Sequence, residues 1–203
     1  MEELLFDRIR MKISDAQFRV STDSMVLADF CRIRPGGRVL DLGCGCGTLG
    51  LLLLGADETL RVSGIEIQEA AARQAQENAE ENGFSAHMHI ICGDLRQAHA
   101  QIAPGTFDYV LSNPPYYPPK SGYLHAQDSL CAARSEICCP FDALCAAAAR
   151  ALRWGGRFFL VHKPERLVDL LTGLRAARLE PKRIRRESCF DRIPPRRRAG
   201  AAI

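Results

Sequence analysis

From residue 38 onward, short apolar runs alternate with longer stretches of helical pattern. "RVLDLG" (38–43) precedes "TLGLLLLGA" (48–56), "RVSGIEI" (61–67) precedes "QEAAARQAQENAEENG" (68–83), and "AHMHIICG" (86–93) precedes "DLRQAHAQI" (94–102). A fourth run, "FDYVLS" (107–112), stops at a proline pair. Such alternation predicts a mostly parallel sheet covered by helices on both faces. Further on, "FDALCAAAARALRWGG" (141–156) reads as a helix that stops at its glycines, followed by the strand "RFFLVHK" (157–163), the helix "PERLVDLLTGLRAAR" (164–178) and a strand candidate "LEPKRIRRE" (179–187). The expectation is a doubly wound α/β fold of six strands, one domain over residues 1–187, with its core from residue 36.

Length fits that picture, because 203 residues suffice for one sizeable core. Hydrophobic residues at 47% and charged ones at 25% are ordinary for a soluble chain, and no apolar run reaches the ~20 residues of a membrane span. The opening "MEELLFDRIRMK" lacks an apolar segment followed by a cleavage site, so no secretory signal is expected and a cytoplasmic location follows. Nine cysteines are an odd number, and the nearest pairs, Cys44-x-Cys46 and Cys138-Cys139, lack the two-residue spacing of zinc or redox motifs. They read as reduced, buried thiols, with no metal site. The formal charge is only +3, but the arginine-rich "PKRIRRESCFDRIPPRRR" near the end concentrates it. That stretch suits either a solvated tail or contact with a phosphate backbone.

Between the first strand and its helix stands "DLGCGCGTLG", Asp41 to Gly50, at the strand end where α/β sheets bind ligands. Gly45-x-Gly47-x-x-Gly50 matches a dinucleotide fingerprint, and Glu66 follows Gly45 at the distance of a ribose-binding acid. Asp41 argues against a dinucleotide, because its carboxylate would face a doubly charged pyrophosphate. S-adenosylmethionine suits the loop better, since it carries a sulfonium, an ammonium and a carboxylate but no phosphate. Asp41 can attract its cationic end, while the amides of Gly43, Gly45 and Gly47 donate to its carboxylate. Glu66 can then bind the ribose hydroxyls. Asp94 can accept from the adenine amino group, with Ile67 and Leu95 as walls for the ring.

The loop "NPPYY" at the end of the fourth strand places Asn113 beside the transferable methyl. An amino group on an aromatic ring is a weak nucleophile, and it improves when both its hydrogens point at fixed acceptors. Asn113 Oδ1 and the Pro114 carbonyl are candidates, Pro114 and Pro115 stiffen the loop, and Tyr116 offers a face on which a flipped-out base can stack. The same loop would serve a glutamine side-chain amide equally well.

These motifs, with "RVSTDSMVLADF", "AAARQAQENAEENG", "CAARSEI" and "GGRFFLVHKPERL", resemble the class I S-adenosylmethionine-dependent methyltransferases. The likeness is closest to the bacterial valine-tRNA adenine-N6 methyltransferases, which modify the adenine after the anticodon. The resemblance implies a Rossmann-like fold, a tRNA partner, and a segment over residues 1–35 that covers the cofactor with contacts from Thr22 or Asp23. "STDS" equally suits a helix cap. Arg134 is a weaker candidate for substrate contact. Class I enzymes place a seventh strand near the end, whereas "SCFDRIPPRRRAGAAI" (188–203) has no strand pattern. The expectation there is coil, an incomplete sheet edge, and a monomer or weak homodimer. Two other activities stay open: protein glutamine methylation, or a silent cofactor-binding RNA module.

Overall fold

A computed structural model describes residues 2–5, 9–12, 21–114 and 140–187, with the side chains of 2–5 and 98–100 excepted. At the N-terminus, β1 (Glu2–Leu5) and β2 (Ile9–Lys12) form an antiparallel hairpin. Then follow α1 (Thr22–Phe30), β3 (Arg38–Leu42), α2 (Thr48–Ala56), β4 (Arg61–Glu66), α3 (Glu69–Glu81) and β5 (Met88–Cys92). A 3-10 helix (Leu95–Ala100), β6 (Phe107–Ser112), α4 (Phe141–Ala151), β7 (Leu152–Leu160) and α5 (Leu167–Ala176) complete the described elements.

The main sheet is parallel throughout, in the order β5-β4-β3-β6-β7. The chain starts in the middle at β3, winds outward to β5, then returns to the far side of β3 with β6. That reversal creates a switch point between β3 and β6, and a crevice opens beyond the carboxyl ends of these two strands.

The central strand explains the two-layer packing. Val39 and Leu40 are both 0% exposed and point to opposite faces. Val39 joins a cluster with Leu27, Phe30, Leu51, Leu54 and Tyr109 on the side of α1 and α2, whereas Leu40 and Leu42 pack with Ile65, Val110, Leu144 and Ala148 on the side of α4. Helix α2 is apolar nearly all round, and six of its nine residues are buried. It therefore lies within the fold, between the hairpin and the sheet.

The structure departs from expectation in four places. First, the N-terminus pairs as a hairpin instead of lying only as a cover. Ile9 and Met11 are buried while Arg10 and Lys12 are exposed, so a two-residue alternation was present, though only four residues long. The hairpin is tied down by α3, where Asn82 and Asn78 bridge to the backbones of Arg10 and Lys12.

Second, "DLRQAHAQI" forms a 3-10 helix. Asp94 accepts the Arg96 amide through its side chain and the Gln97 amide through its carbonyl, which starts a tight turn. Third, α4 ends at Ala151, and the glycines expected to stop it lie inside β7. Gly156 comes so close to the Asp108 carbonyl that an added Cβ would sit 3.0 Å from it, and the β6–β7 register shifts at this point.

Fourth, residues 179–187 make no strand. Pro181 interrupts the run, and the arginines turn instead toward α1: Arg183 lies over the Phe30 ring, 4.1 Å from its centroid, and Arg185 bonds Asp29 at 2.9 Å. The described sheet thus has five strands rather than six. The expectation of coil over 188–203 falls outside the described residues.

Candidate active site

The acids and glycines singled out in the sequence gather where the parallel strands end. In register, Leu42 stands beside Ile65, Glu66 beside Cys92, and Asp41 beside Leu111. The Ser112 hydroxyl, fully buried, donates to the Leu42 carbonyl at 2.7 Å, which pins the last turn of β6 against β3. Asn113 therefore emerges next to Gly43.

Backbone conformation shapes the loop after β3. Gly43, Gly45 and Gly47 have φ of 78°, 54° and 85°, a region costly for any residue with a Cβ. A methyl group on Gly43 or Gly45 would meet no atom within 4 Å, so this part of the loop borders open space. Gly47 is different, because a Cβ there would stand 2.7 Å from the Met88 methyl and 3.3 Å from Ala75. Its role is close packing of α2 on the sheet. The glycine of β4, Gly64, has a similar duty: a Cβ on it would be 2.6 Å from Cys44 Sγ.

Glu66 holds the loop in shape. Its carboxylate accepts the Gly45 amide at 3.0 Å with one oxygen and the Gln68 amide at 2.9 Å with the other. From below, Asn78, fully buried, donates to the Cys46 carbonyl at 3.1 Å.

Asp41 is 1% exposed, and both its carboxylate oxygens are buried without a hydrogen-bond partner among the described residues. Burial, reinforced by the neighbouring charge of Glu66, pushes its carboxyl up to about 7. An orphaned carboxylate is costly to keep, and a cationic ligand is what would satisfy it. The site therefore fits the sulfonium and ammonium of S-adenosylmethionine. Burial also pushes the thiols of Cys31 and Cys44 upward, with Asp41 adding to both, which keeps them neutral neighbours.

The remaining candidates are arranged around this centre. Ile67 is 43% exposed at the end of β4, a position open to a ring. Asp94 is held below its ordinary range by the Arg96 side chain, which contacts both its oxygens at 2.8 and 3.0 Å. Leu95 packs with the cluster on the α4 side and borders a cavity of ≈ 310 Å³ between the 3-10 helix and α4. That cavity has apolar walls with Arg96 and Arg150 among them, and lacks the loop amides and carboxylate of the strand-end crevice.

Thr22 is exposed and Asp23 half-buried on the first turn of α1. Ser21 caps that helix, its hydroxyl accepting the Ser24 amide at 3.1 Å. Asn113 is half-buried and Pro114 buried. The Asn113 amide nitrogen donates to Ser21 Oγ at 3.2 Å and Ser24 Oγ at 3.0 Å. Neither serine was singled out from the sequence, although "STDS" sets two hydroxyls three residues apart, on one face of a helix. Pro115, Tyr116 and Arg134 lie outside the described residues. No group of His, Cys, Asp and Glu suited to a metal occurs among the described residues, and no described helix is long and apolar enough to cross a membrane.

With this arrangement established, comparison with known proteins is direct. The methyltransferase small domain family matches residues 16–172. A tRNA1(Val) (adenine(37)-N6)-methyltransferase of Porphyromonas gingivalis is 32% identical over 199 residues, covering 95% of this chain and 77% of the relative. The protein of the same name from Proteus mirabilis is 40% identical over 104 residues, 51% of this chain and 41% of that relative. Among solved structures, a predicted O-methyltransferase from Agrobacterium tumefaciens superposes with a TM-score of 0.59 at 22% identity, covering 75% of this chain and 66% of the other. The match in P. gingivalis runs over nearly the whole chain. The chain belongs to the methyltransferase small domain family, and its sheet has the Rossmann-like class I methyltransferase fold.

Proposed function

We propose that this protein methylates the exocyclic N6 amine of adenine in tRNA, with valine tRNA near the anticodon as the substrate its relatives' names point to. The observation that carries the reading is Asn113, emerging beside the glycine loop with its amide nitrogen engaged by Ser21 and Ser24. Two hydroxyls on the nitrogen side turn Oδ1 the other way, toward the role of acceptor for a substrate amine.

S-adenosylmethionine, when bound, supplies an electrophilic methyl on a sulfur that leaves as a neutral thioether. Asp41 would hold the ammonium, with Thr22 and Asp23 at the entrance. The amides of Gly43, Gly45 and Gly47 do not hold the carboxylate as expected, because they already donate to the Ile65 carbonyl, the Glu66 carboxylate and the Cys44 carbonyl; Gly43 and Gly45 serve instead by leaving open space for the methionyl end. Glu66 has lone pairs left for ribose hydroxyls after accepting two amides. Ile67 would flank the adenine of the cofactor and Asp94 would face its amino group while remaining paired to Arg96, whereas Leu95 packs toward the cavity beside α4.

Asn113 Oδ1 and the Pro114 carbonyl accept the two hydrogens of the substrate amine. This would draw the nitrogen lone pair out of conjugation and make the amine a better nucleophile, and the proton it loses would pass to solvent. By residue type, Pro115 suits a stiff loop and Tyr116 a stacking face for the flipped base. Lys182 and Arg186, exposed beside the inward-turned Arg183 and Arg185, add affinity for phosphate without base selection. The protein acts on the cytoplasmic tRNA pool.

Calorimetry with S-adenosylmethionine, followed by labelled-methyl transfer to bulk tRNA and to protein extract, tests the reading. Saturable binding with label in tRNA is expected. Label in protein alone selects glutamine methylation, and binding without transfer selects the silent module; either result overturns the proposal.

A further inference from the structure

We infer that Ser21 and Ser24 form a hydroxyl clamp that positions Asn113 for methyl transfer; this rests on the reading that Asn113 Oδ1 accepts from the substrate amine. The two hydroxyl oxygens are 3.1 Å apart, and Asn113 Nδ2 sits 3.2 Å from one and 3.0 Å from the other. A side-chain amide can flip, exchanging donor for acceptor, and only its partners decide which way it points.

Here the partners do decide. Ser21 Oγ already accepts the Ser24 amide at 3.1 Å. One hydroxyl proton is taken up in the bond between the two oxygens, which leaves a single proton to offer the amide. With Nδ2 facing the serines, each oxygen receives one amide hydrogen and the hydroxyl–hydroxyl bond survives. With Oδ1 facing them, only one hydroxyl has a proton left to give it, and the other oxygen would meet Oδ1 lone pair against lone pair unless the hydroxyl–hydroxyl bond broke. The clamp therefore selects the orientation that aims Oδ1 away from α1.

Placement supports the same conclusion. Ser24 is only 7% exposed, so its hydroxyl is buried where an unused polar group would be costly. Ser21 is the N-cap of α1, fixed in extended conformation at φ −91° and ψ 146°. A residue 92 positions away in the chain is thereby oriented by a helix end whose geometry the cap already fixes. Both serines act through Asn113; they are positioning residues, and the separation of turnover from binding identifies them.

The test measures labelled-methyl transfer to a transcribed valine tRNA for Ser24→Ala, Ser21→Gly and Ser21→Thr, beside Asn113→Ala. Glycine is a tolerated helix cap, so Ser21→Gly removes the hydroxyl with little loss of α1, and threonine restores both cap and hydroxyl. The clamp predicts that kcat falls about tenfold in Ser24→Ala and in Ser21→Gly, as expected for one orienting hydrogen bond lost. Cofactor Kd and Tm stay near wild type, and Ser21→Thr recovers turnover. Wild-type kcat in both hydroxyl-free variants overturns the clamp, as does a fall in kcat matched by equal losses of Tm and cofactor affinity, or Ser21→Thr no better than Ser21→Gly. Full activity in Asn113→Ala sinks the underlying mechanism instead, so the two failures are distinguishable.

Discussion

The backbone amide of Gly45 lies 3.0 Å from Glu66 Oε2, and this bond joins the glycine loop after β3 to the acid that ends β4. The second oxygen takes the Gln68 amide at 2.9 Å, so one buried carboxylate organises two loops around the crevice. Glutamine at position 66 has one oxygen and one nitrogen, and a nitrogen cannot accept from an amide. Glu66→Gln should therefore leave one donor unsatisfied, costing about 1–3 kcal/mol of stability, and weaken S-adenosylmethionine binding. Urea denaturation and calorimetry read the two effects.

Asp41 makes pH a lever on cofactor affinity. Its carboxyl stands at about 7 in the folded protein against 3.8 as the ordinary value, so the folded state holds the proton more tightly than the unfolded one. The contribution of Asp41 to cofactor-free stability therefore declines as pH rises from about 4 to 7 and is level above that. An ammonium ligand needs the carboxylate ionised, so affinity should climb by up to about tenfold per unit below pH 7 and flatten above it. Asp41→Leu should flatten both dependences, raise Tm of the cofactor-free protein near neutral pH, and bind the cofactor poorly. Titration calorimetry and thermal melts between pH 5 and 8 check this.

Much of this was legible in the sequence because buried parallel strands leave unbroken apolar runs. "RVLDL" and "DYVLS" stood out for that reason, and Asp41, Glu66 and Asp94 near the ends of β3, β4 and β5 marked the crevice. What was missed has physical causes. The hairpin rests on four residues of alternation and on two asparagines of α3 that reach back to its backbone. The strand β7 runs through a glycine pair that, taken locally, signals a helix stop, and the close approach of the Asp108 carbonyl across the sheet helps explain why a glycine is needed there. The strand expected over residues 179–187 is replaced by arginine contacts to Asp29 and Phe30, which no local pattern encodes. Likewise, the serines of α1 gain their meaning only when Asn113 folds against them.

Glycine substitutions should separate ligand space from packing. Gly45→Ala places a methyl in open space but at φ 54°, so it should cost about 1–2 kcal/mol of stability and weaken cofactor binding. Gly64→Ala meets Cys44 Sγ at 2.6 Å and must push it toward the loop. It should lower Tm more, and a Gly64→Ala/Cys44→Ala pair should recover part of the loss. Melting curves with and without S-adenosylmethionine resolve these cases.

Asn78 couples the hairpin to the glycine loop. Its side chain exchanges two hydrogen bonds with the Lys12 backbone and donates a third to the Cys46 carbonyl. Asn78→Ala removes all three from a fully buried position, and a loss of about 2–4 kcal/mol is expected in denaturant titration.

The decisive measurement is nucleoside mass spectrometry of tRNA incubated with methyl-labelled S-adenosylmethionine, run in parallel for the wild type and Asn113→Ala. Labelled N6-methyladenosine with the wild type, and none with the variant although both bind the cofactor, is the predicted result. Equal labelling by the variant, or label on any nucleoside position other than the adenine amine, contradicts the account.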